Sequence, residues 1–200
     1  MSNQNKPEQV EVSNSEPKEK GKKPLFQEIL SWIYTLGFAV ILALAIRHFI
    51  FEPVMVDGMS MADTLQDKEI MYVSKPQYIF GTPKAGDVVI CKYPERKENF
   101  VKRVIGVPGD EVAILFNQVY INGEPLEEDY LTLDRNNNGF SMVPYKLGEK
   151  EYFVMGDNRD NSHDSRNYYG YNKPTAITED MIKGKVCFVF FPFNDIRMID

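Results

Sequence analysis

From Ile29 to Ile46 the chain carries no charged residue, an 18-residue apolar run bounded by Glu28 and Arg47. As a helix rising about 1.5 Å per residue it spans roughly 27 Å, and Phe49 to Phe51 extend it toward a hydrocarbon thickness of about 30 Å. The run is apolar on every face, unlike a helix lying on a soluble core, which keeps a polar stripe. Trp32 and Tyr34 near one end suit a membrane interface, and Arg47 near the other can snorkel. Ala43-Leu44-Ala45 fits a small-residue cleavage site, but apolar residues continue past it with no helix breaker. The pattern therefore predicts an uncleaved transmembrane helix over 25–51.

On either side the pattern changes. Residues 1–24 hold no aromatic side chain, and within Met1–Lys23 the apolar β-branched residues are only Val10 and Val12. Such a segment cannot bury enough apolar surface to offset its ordering entropy, and reads as a disordered tail. Residues 52–200 show short β-branched and aromatic runs: Val88–Ile90, Phe100–Ile105, Val112–Phe116, Val119–Ile121, Tyr152–Met155 and Val186–Phe191. Turn residues punctuate them, including Lys84–Asp87, Pro108-Gly109-Asp110, Asn122-Gly123 and Gly156-Asp157-Asn158. Only Thr178–Lys183 hints at a helix. This predicts a mainly β domain, a barrel or packed sheets, behind one N-terminal transmembrane helix.

Charge orients the chain. Lys18, Lys20, Lys22 and Lys23 precede the span, and only Arg47 follows it closely, so the tail belongs in the cytoplasm and residues 52–200 outside. Averaged over all 200 residues, a net charge of −6 and 43% hydrophobic residues hide this division. An acidic chain with no basic stretch is ill suited to neutralising phosphates, which argues against nucleic acid as a partner. Two cysteines, Cys91 and Cys187, are too few for a disulfide framework or a four-cysteine zinc site; buried thiols are the default, though an exported location permits a disulfide.

Candidate chemistry begins with scarcity. The only histidines are His48 and His163, so a hydrolase built on this chain needs another base. Lys102 alternates onto one strand face with Phe100 and Val104. An ammonium on an apolar face loses hydration, which lowers its pKa and favours a neutral amine able to act as a general base. By itself the pattern more often marks an ordinary lysine whose stem is buried and whose head reaches water. Ser60, in Gly58-Met59-Ser60-Met61, could stand exposed on a tight bend or be an ordinary turn serine. Gly156–Arg166 is a dense polar cluster after a strand. Its Arg159 occupies a position where calcium would need an oxygen. Asp134–Gly139 begins like a calcium loop but reaches Tyr145 at the twelfth position and lacks flanking helices. No metal or cofactor is implied.

Together these segments resemble the bacterial type I signal peptidases. Ser60-Met61-x-x-Thr64-Leu65 resembles the nucleophile box of that family, Gly86-Asp87-Val88-Val89 its second box, and Lys102–Asp110 its lysine box. Gly156-Asp157-Asn158-Arg159-Asp160-Asn161-Ser162-x-Asp164-Ser165-Arg166 resembles the last. Their order and the preceding anchor agree, from about residue 25 to 195.

The resemblance implies two β-sheet-rich lobes and a Ser60–Lys102 dyad that cuts signal peptides after A-x-A-like sites. Ser162 would orient the lysine amine, Asp164 and Arg166 would pair, and Arg103 would brace the site. Partners would be secretory preproteins and the bilayer, with no obligate protein partner, at the cell membrane. Gly58 stands where some members carry an oxyanion-hole hydroxyl, as in the Gram-positive branch. Asp63 stands where the family usually has proline. It loosens the turn and adds negative charge, which would favour protonated Lys102 if close. A relative of the same clan with a narrower substrate, or an impaired one that binds exported segments without cutting them, are the alternatives.

Overall fold

A computed structural model of the chain describes residues 25–49, 52–93, 96, 98–131, 139–166 and 174–199. The tail over 1–24 and the loop from Asp134 to Asn138 lie outside the described residues.

Helix α1 covers Leu25–Phe49, and its Leu25–Ile46 stretch, of mean hydropathy 2.3, is long and apolar enough to cross a membrane. It runs through Ala43-Leu44-Ala45 unbroken. Its one internal polar pair is folded back on the backbone, Thr35 Oγ1 donating to the Ser31 carbonyl at 2.8 Å, so the hydroxyl is satisfied where water would be absent.

The rest is β-sheet. Strands β1 (Glu52–Met55), β2 (Ile70–Ser74), β3 (Val88–Cys91), β4 (Phe100–Gly106), β9 (Glu151–Met155), β10 (Ile177–Thr178), β11 (Ile182–Phe191) and β12 (Arg197–Met198) form the larger sheet. Its order is β1-β2-β11-β3-β4-β9-β10, with β12 on β11. Strands β5 (Glu111–Leu115), β6 (Gln118–Ile121), β7 (Glu124–Pro125) and β8 (Met142–Lys146) form a second sheet, ordered β7-β6-β5-β8. Every pairing is antiparallel.

Three apolar clusters hold the sheets. Val56, Met61, Leu65, Met71 and Val189 pack on one face of the larger sheet, and Val89, Cys91, Val104, Val154 and Ile177 on the other. The third is the seam between sheets: Ile105 of β4 and Phe153 and Met155 of β9 pack against Val112, Ile114 and Val119. Strand β4 serves all three, since Val101 belongs with the first cluster, Phe100 and Val104 with the second, and Ile105 with the third.

The mainly β expectation holds, and all six strands read from the apolar runs are present. The hinted helix over Thr178–Lys183 is not: a single 3-10 turn at Glu179–Met181 separates β10 from β11. The β-branched Ile182 instead enters the sheet opposite Cys91. Both cysteines are free thiols; burial pushes Cys91 up to about 12, so it stays neutral. Truncating the seam by Phe153→Ala, at a fully buried side chain, is expected to cost about 3–5 kcal/mol in chemical denaturation.

Candidate active site

Ser60 lies in a tight segment between β1 and β2. Gly58 has φ +105°, a conformation L side chains rarely adopt. Its N–H donates to Asp67 Oδ1 at 2.8 Å, which fixes the bend. Ala62 N–H then donates to Met59 O, and Thr64 and Leu65 N–H both donate to Met61 O. The Ser60 N–H donates to no group among the described residues.

Lys102 reaches this serine from β4. Its Nζ stands 2.8 Å from Ser60 Oγ and donates to Val101 O at 2.9 Å. The residue is 1% exposed. Burial lowers its pKa from the ordinary 10.5 against weaker opposing pulls from Asp164 and Asp157. These two carboxylates bear on it more than Asp63 does, the residue whose charge the sequence raised as a concern. The geometry therefore places a hydroxyl beside an amine whose charged form is penalised by burial.

Arg103, next along β4, points the other way into a buried network. Its guanidinium makes a two-pronged ion pair with Asp157, Nε to Oδ1 at 3.1 Å and Nη2 to Oδ2 at 2.9 Å. It also donates to the Gly86 carbonyl and lies 3.9 Å over the Tyr130 ring. Asp157 in turn accepts from Thr64 Oγ1 at 2.5 Å, four residues past the serine. The second resemblance box joins here, since Asp87 accepts from Tyr78, Lys185 and the Lys84 N–H and so holds the turn that presents Gly86 O.

The loop after β9 closes over the serine. Asn158 N–H donates to Ser60 O at 3.0 Å, and its side-chain amide donates to Met59 O. Gly156 permits this closeness: a Cβ there would fall 2.4 Å from Ser60 O and 2.3 Å from Ser162 Oγ. Asp164 and Arg166 form the buried ion pair the resemblance implied, at 2.8 Å. Burial alone would raise the Asp164 carboxyl, but Arg166 and the Gly156 N–H hold it below the usual range. Ser162 is placed at the cluster with its hydroxyl buried; it bears on the Asp164 carboxylate, and Lys102 does not bond it.

Several participants escaped the sequence reading. Asp157, Asn158, Arg159 and Thr64 sit inside the matched boxes and were assigned no role, although an aspartate beside so many cations is a signal for an ion pair. Glu128 and Tyr130 lie in no box. Glu128 pairs with Arg159, whose Nε reaches Gly156 O at 3.2 Å, and accepts from Tyr130 at 2.6 Å. Nothing local in the chain announces that pairing. Among the described residues no group of three His, Cys, Asp or Glu could hold a metal ion.

Comparison with known proteins gives a consistent picture. A family model described as signal peptidase, peptidase S26, matches residues 29–191. The chain is similar to signal peptidase I T of Bacillus subtilis (strain 168), 44% identical over 186 residues, covering 90% of this chain and 94% of that one. Against signal peptidase I of Bacillus licheniformis it is 42% identical over 193 residues, covering 93% and 100%. A crystal structure of a signal peptidase I from Enterococcus faecalis V583 shares 29% identity, covers 52% of this chain and 97% of its own, and superposes with a TM-score of 0.43.

Asp157→Ala leaves the Arg103 guanidinium buried without its carboxylate, and is expected to destabilise the fold by about 3–5 kcal/mol in denaturant titrations. Stability equal to wild type would show that the pair does not hold the loop.

Proposed function

The chain belongs to the signal peptidase family, peptidase S26, and from that premise we propose that Ser60 and Lys102 are the pair with which this signal peptidase cuts. Their separation of 2.8 Å, at a lysine whose burial lowers its pKa, is the observation that supports the assignment. A relative that binds without cutting has no need of a serine and a buried lysine held at that distance.

Neutral Lys102 takes the Ser60 hydroxyl proton as Oγ attacks the carbonyl carbon after the last signal-peptide residue. The oxygen of the tetrahedral intermediate gains negative charge, and the Ser60 N–H is a donor with no competing partner among the described residues. Gly58 brings no hydroxyl, and its N–H is engaged by Asp67, so a second donor has to come from other main chain or water. As the carbon–nitrogen bond breaks, the Lys102 ammonium gives its proton to the leaving amine, releasing the mature chain and leaving an acyl ester on Ser60. Water then attacks the ester, Lys102 again accepting a proton; as the bond to Oγ breaks the Lys102 ammonium returns that proton to Ser60, and the signal peptide leaves with a new carboxyl group that ionises in solvent.

Ser162 is assigned the orienting role on its position in the cluster, its buried hydroxyl and the Ser60 carbonyl both lying against Gly156. Arg103, Asp164 and Arg166 are positioning residues. Substrates are exported preproteins ending in A-x-A-like sites, each entering as an extended strand. Residues 25–51 anchor the enzyme in the bilayer with the 1–24 tail in the cytoplasm and residues 52–200 outside. It acts without an obligate protein partner.

Ser60→Ala and Lys102→Ala are each expected to reduce cleavage of a secretory precursor by about 10³-fold or more while the domain stays folded. Near-normal turnover in either would remove the dyad assignment. The pH profile gives a second check. The competent form is the neutral amine, and burial places its pKa below 10.5; kcat/KM should therefore rise with pH on a single limb whose midpoint lies below that value. A limb at or above the ordinary lysine value would mean that another group is the base.

A further inference from the structure

One rim of the larger sheet carries a set of amines that the peptidase reading leaves unused. In the order β1-β2-β11-β3-β4 each neighbour is antiparallel. The start of β1, the end of β2, the start of β11, the end of β3 and the start of β4 therefore share that rim. Just there stand Glu52, Lys75, Lys183, Lys92 and Asn99. A cavity of about 280 Å³ opens at this rim, lined by Glu52, Lys75, Asn99 and Lys183 together with apolar strand residues, with Lys92 outside its lining. Lys92 is tied beside Lys183 by its N–H, which donates to Met181 O at 2.9 Å.

The charges do not balance. Glu52 pairs with Lys75 at 2.7 Å, whereas among the described residues neither Lys92 nor Lys183 has a carboxylate partner. Desolvation first, and then the Lys92 charge, hold the pKa of the exposed Lys183 below the usual lysine range, against a weaker opposing pull from the Glu52 carboxylate. An anion placed between the two amines would relieve that repulsion and be met by the Asn99 amide.

The chain path says which anion is at hand. Glu52 follows Phe49, the last residue of α1, by three residues, a reach of at most about 11 Å. If α1 spans the bilayer as proposed above, Glu52 is tethered within about 11 Å of the end of that helix, a length comparable to the headgroup layer, about 5–8 Å deep on each side of the hydrocarbon core. We propose that Lys92 and Lys183, with Asn99, form a binding site for a phosphate group, supplied by an anionic lipid headgroup at the membrane surface. The site rests on the anchor part of the functional reading and on no part of the dyad.

The test is native mass spectrometry of the full chain from dodecylmaltoside micelles, titrated with phosphatidylglycerol, phosphatidylcholine or inorganic phosphate, for wild type and Lys92→Gln/Lys183→Gln. Wild type should retain phosphatidylglycerol over phosphatidylcholine, and the double variant should bind it about thirtyfold more weakly, at about fivefold per surface lysine. Inorganic phosphate bound as tightly, and lost in the same variant, would support the phosphate site and assign it to a soluble ligand. Equal retention of the two lipids together with no lysine-dependent phosphate binding, or equal binding by wild type and variant, overturns the proposal. Flotation of the chain with zwitterionic vesicles tests the anchor, and precursor cleavage by the same variant tests the peptidase. A failure of either is thus distinguishable from a failure of the site.

Discussion

The buried ion pair between Arg103 and Asp157 is the constraint on which the arrangement rests. Either charge alone in that interior would cost several kcal/mol, so the two must form together and with their hydrogen bonds complete. Completing them draws in four separate pieces of chain: β4, which carries the arginine; the turn that offers Gly86 O; the segment bearing Thr64; and the loop after β9, which carries the aspartate. Ser60 sits between two of these pieces. Its position follows from the need to satisfy a charge on a neighbouring strand residue, and rigid closure around that charge orders the serine without any bond to its hydroxyl.

Adjacent residues on β4 thus solve opposite problems. Arg103 cannot lose its proton and is given a carboxylate, a carbonyl and an aromatic face. Lys102, one position away and on the other face, is buried with no carboxylate in contact, so neutralisation is the cheaper outcome. Strand alternation makes this division possible, because a side chain needing charge and one needing its absence can be neighbours in sequence while facing different surroundings. The second pair, Asp164 and Arg166, also takes in the Gly156 N–H and the Arg159 carbonyl, and the arginine charge offsets part of the pull of that aspartate on the amine.

Much of this was legible beforehand. The apolar run from Ile29 to Ile46 announced a helix because eighteen uncharged residues have few other uses, and the strand runs around Val88, Phe100 and Tyr152 carried their own β-branched signal. Lys102 was legible by face and Ser60 by the box around it. What escaped was of two kinds. Strands such as β8, which contains Pro144 and sits at a sheet edge, have a weak pattern because only one neighbour constrains them. Pairings such as Glu128 with Arg159 join residues far apart in the chain, and neither partner has a local environment that names the other. Ser162 shows the remaining gap: the resemblance implies that its hydroxyl orients Lys102, and no bond joins the two in the structure.

The two free thiols have a consequence for where such a fold can operate. Cys91 is sealed in a sheet with its proton held to about 12, so it offers no thiolate for exchange. The covalent framework that many small exported domains depend on is replaced here by strand pairing and enclosed charges. With both thiols free, reaching the native state requires no oxidant and no disulfide isomerase.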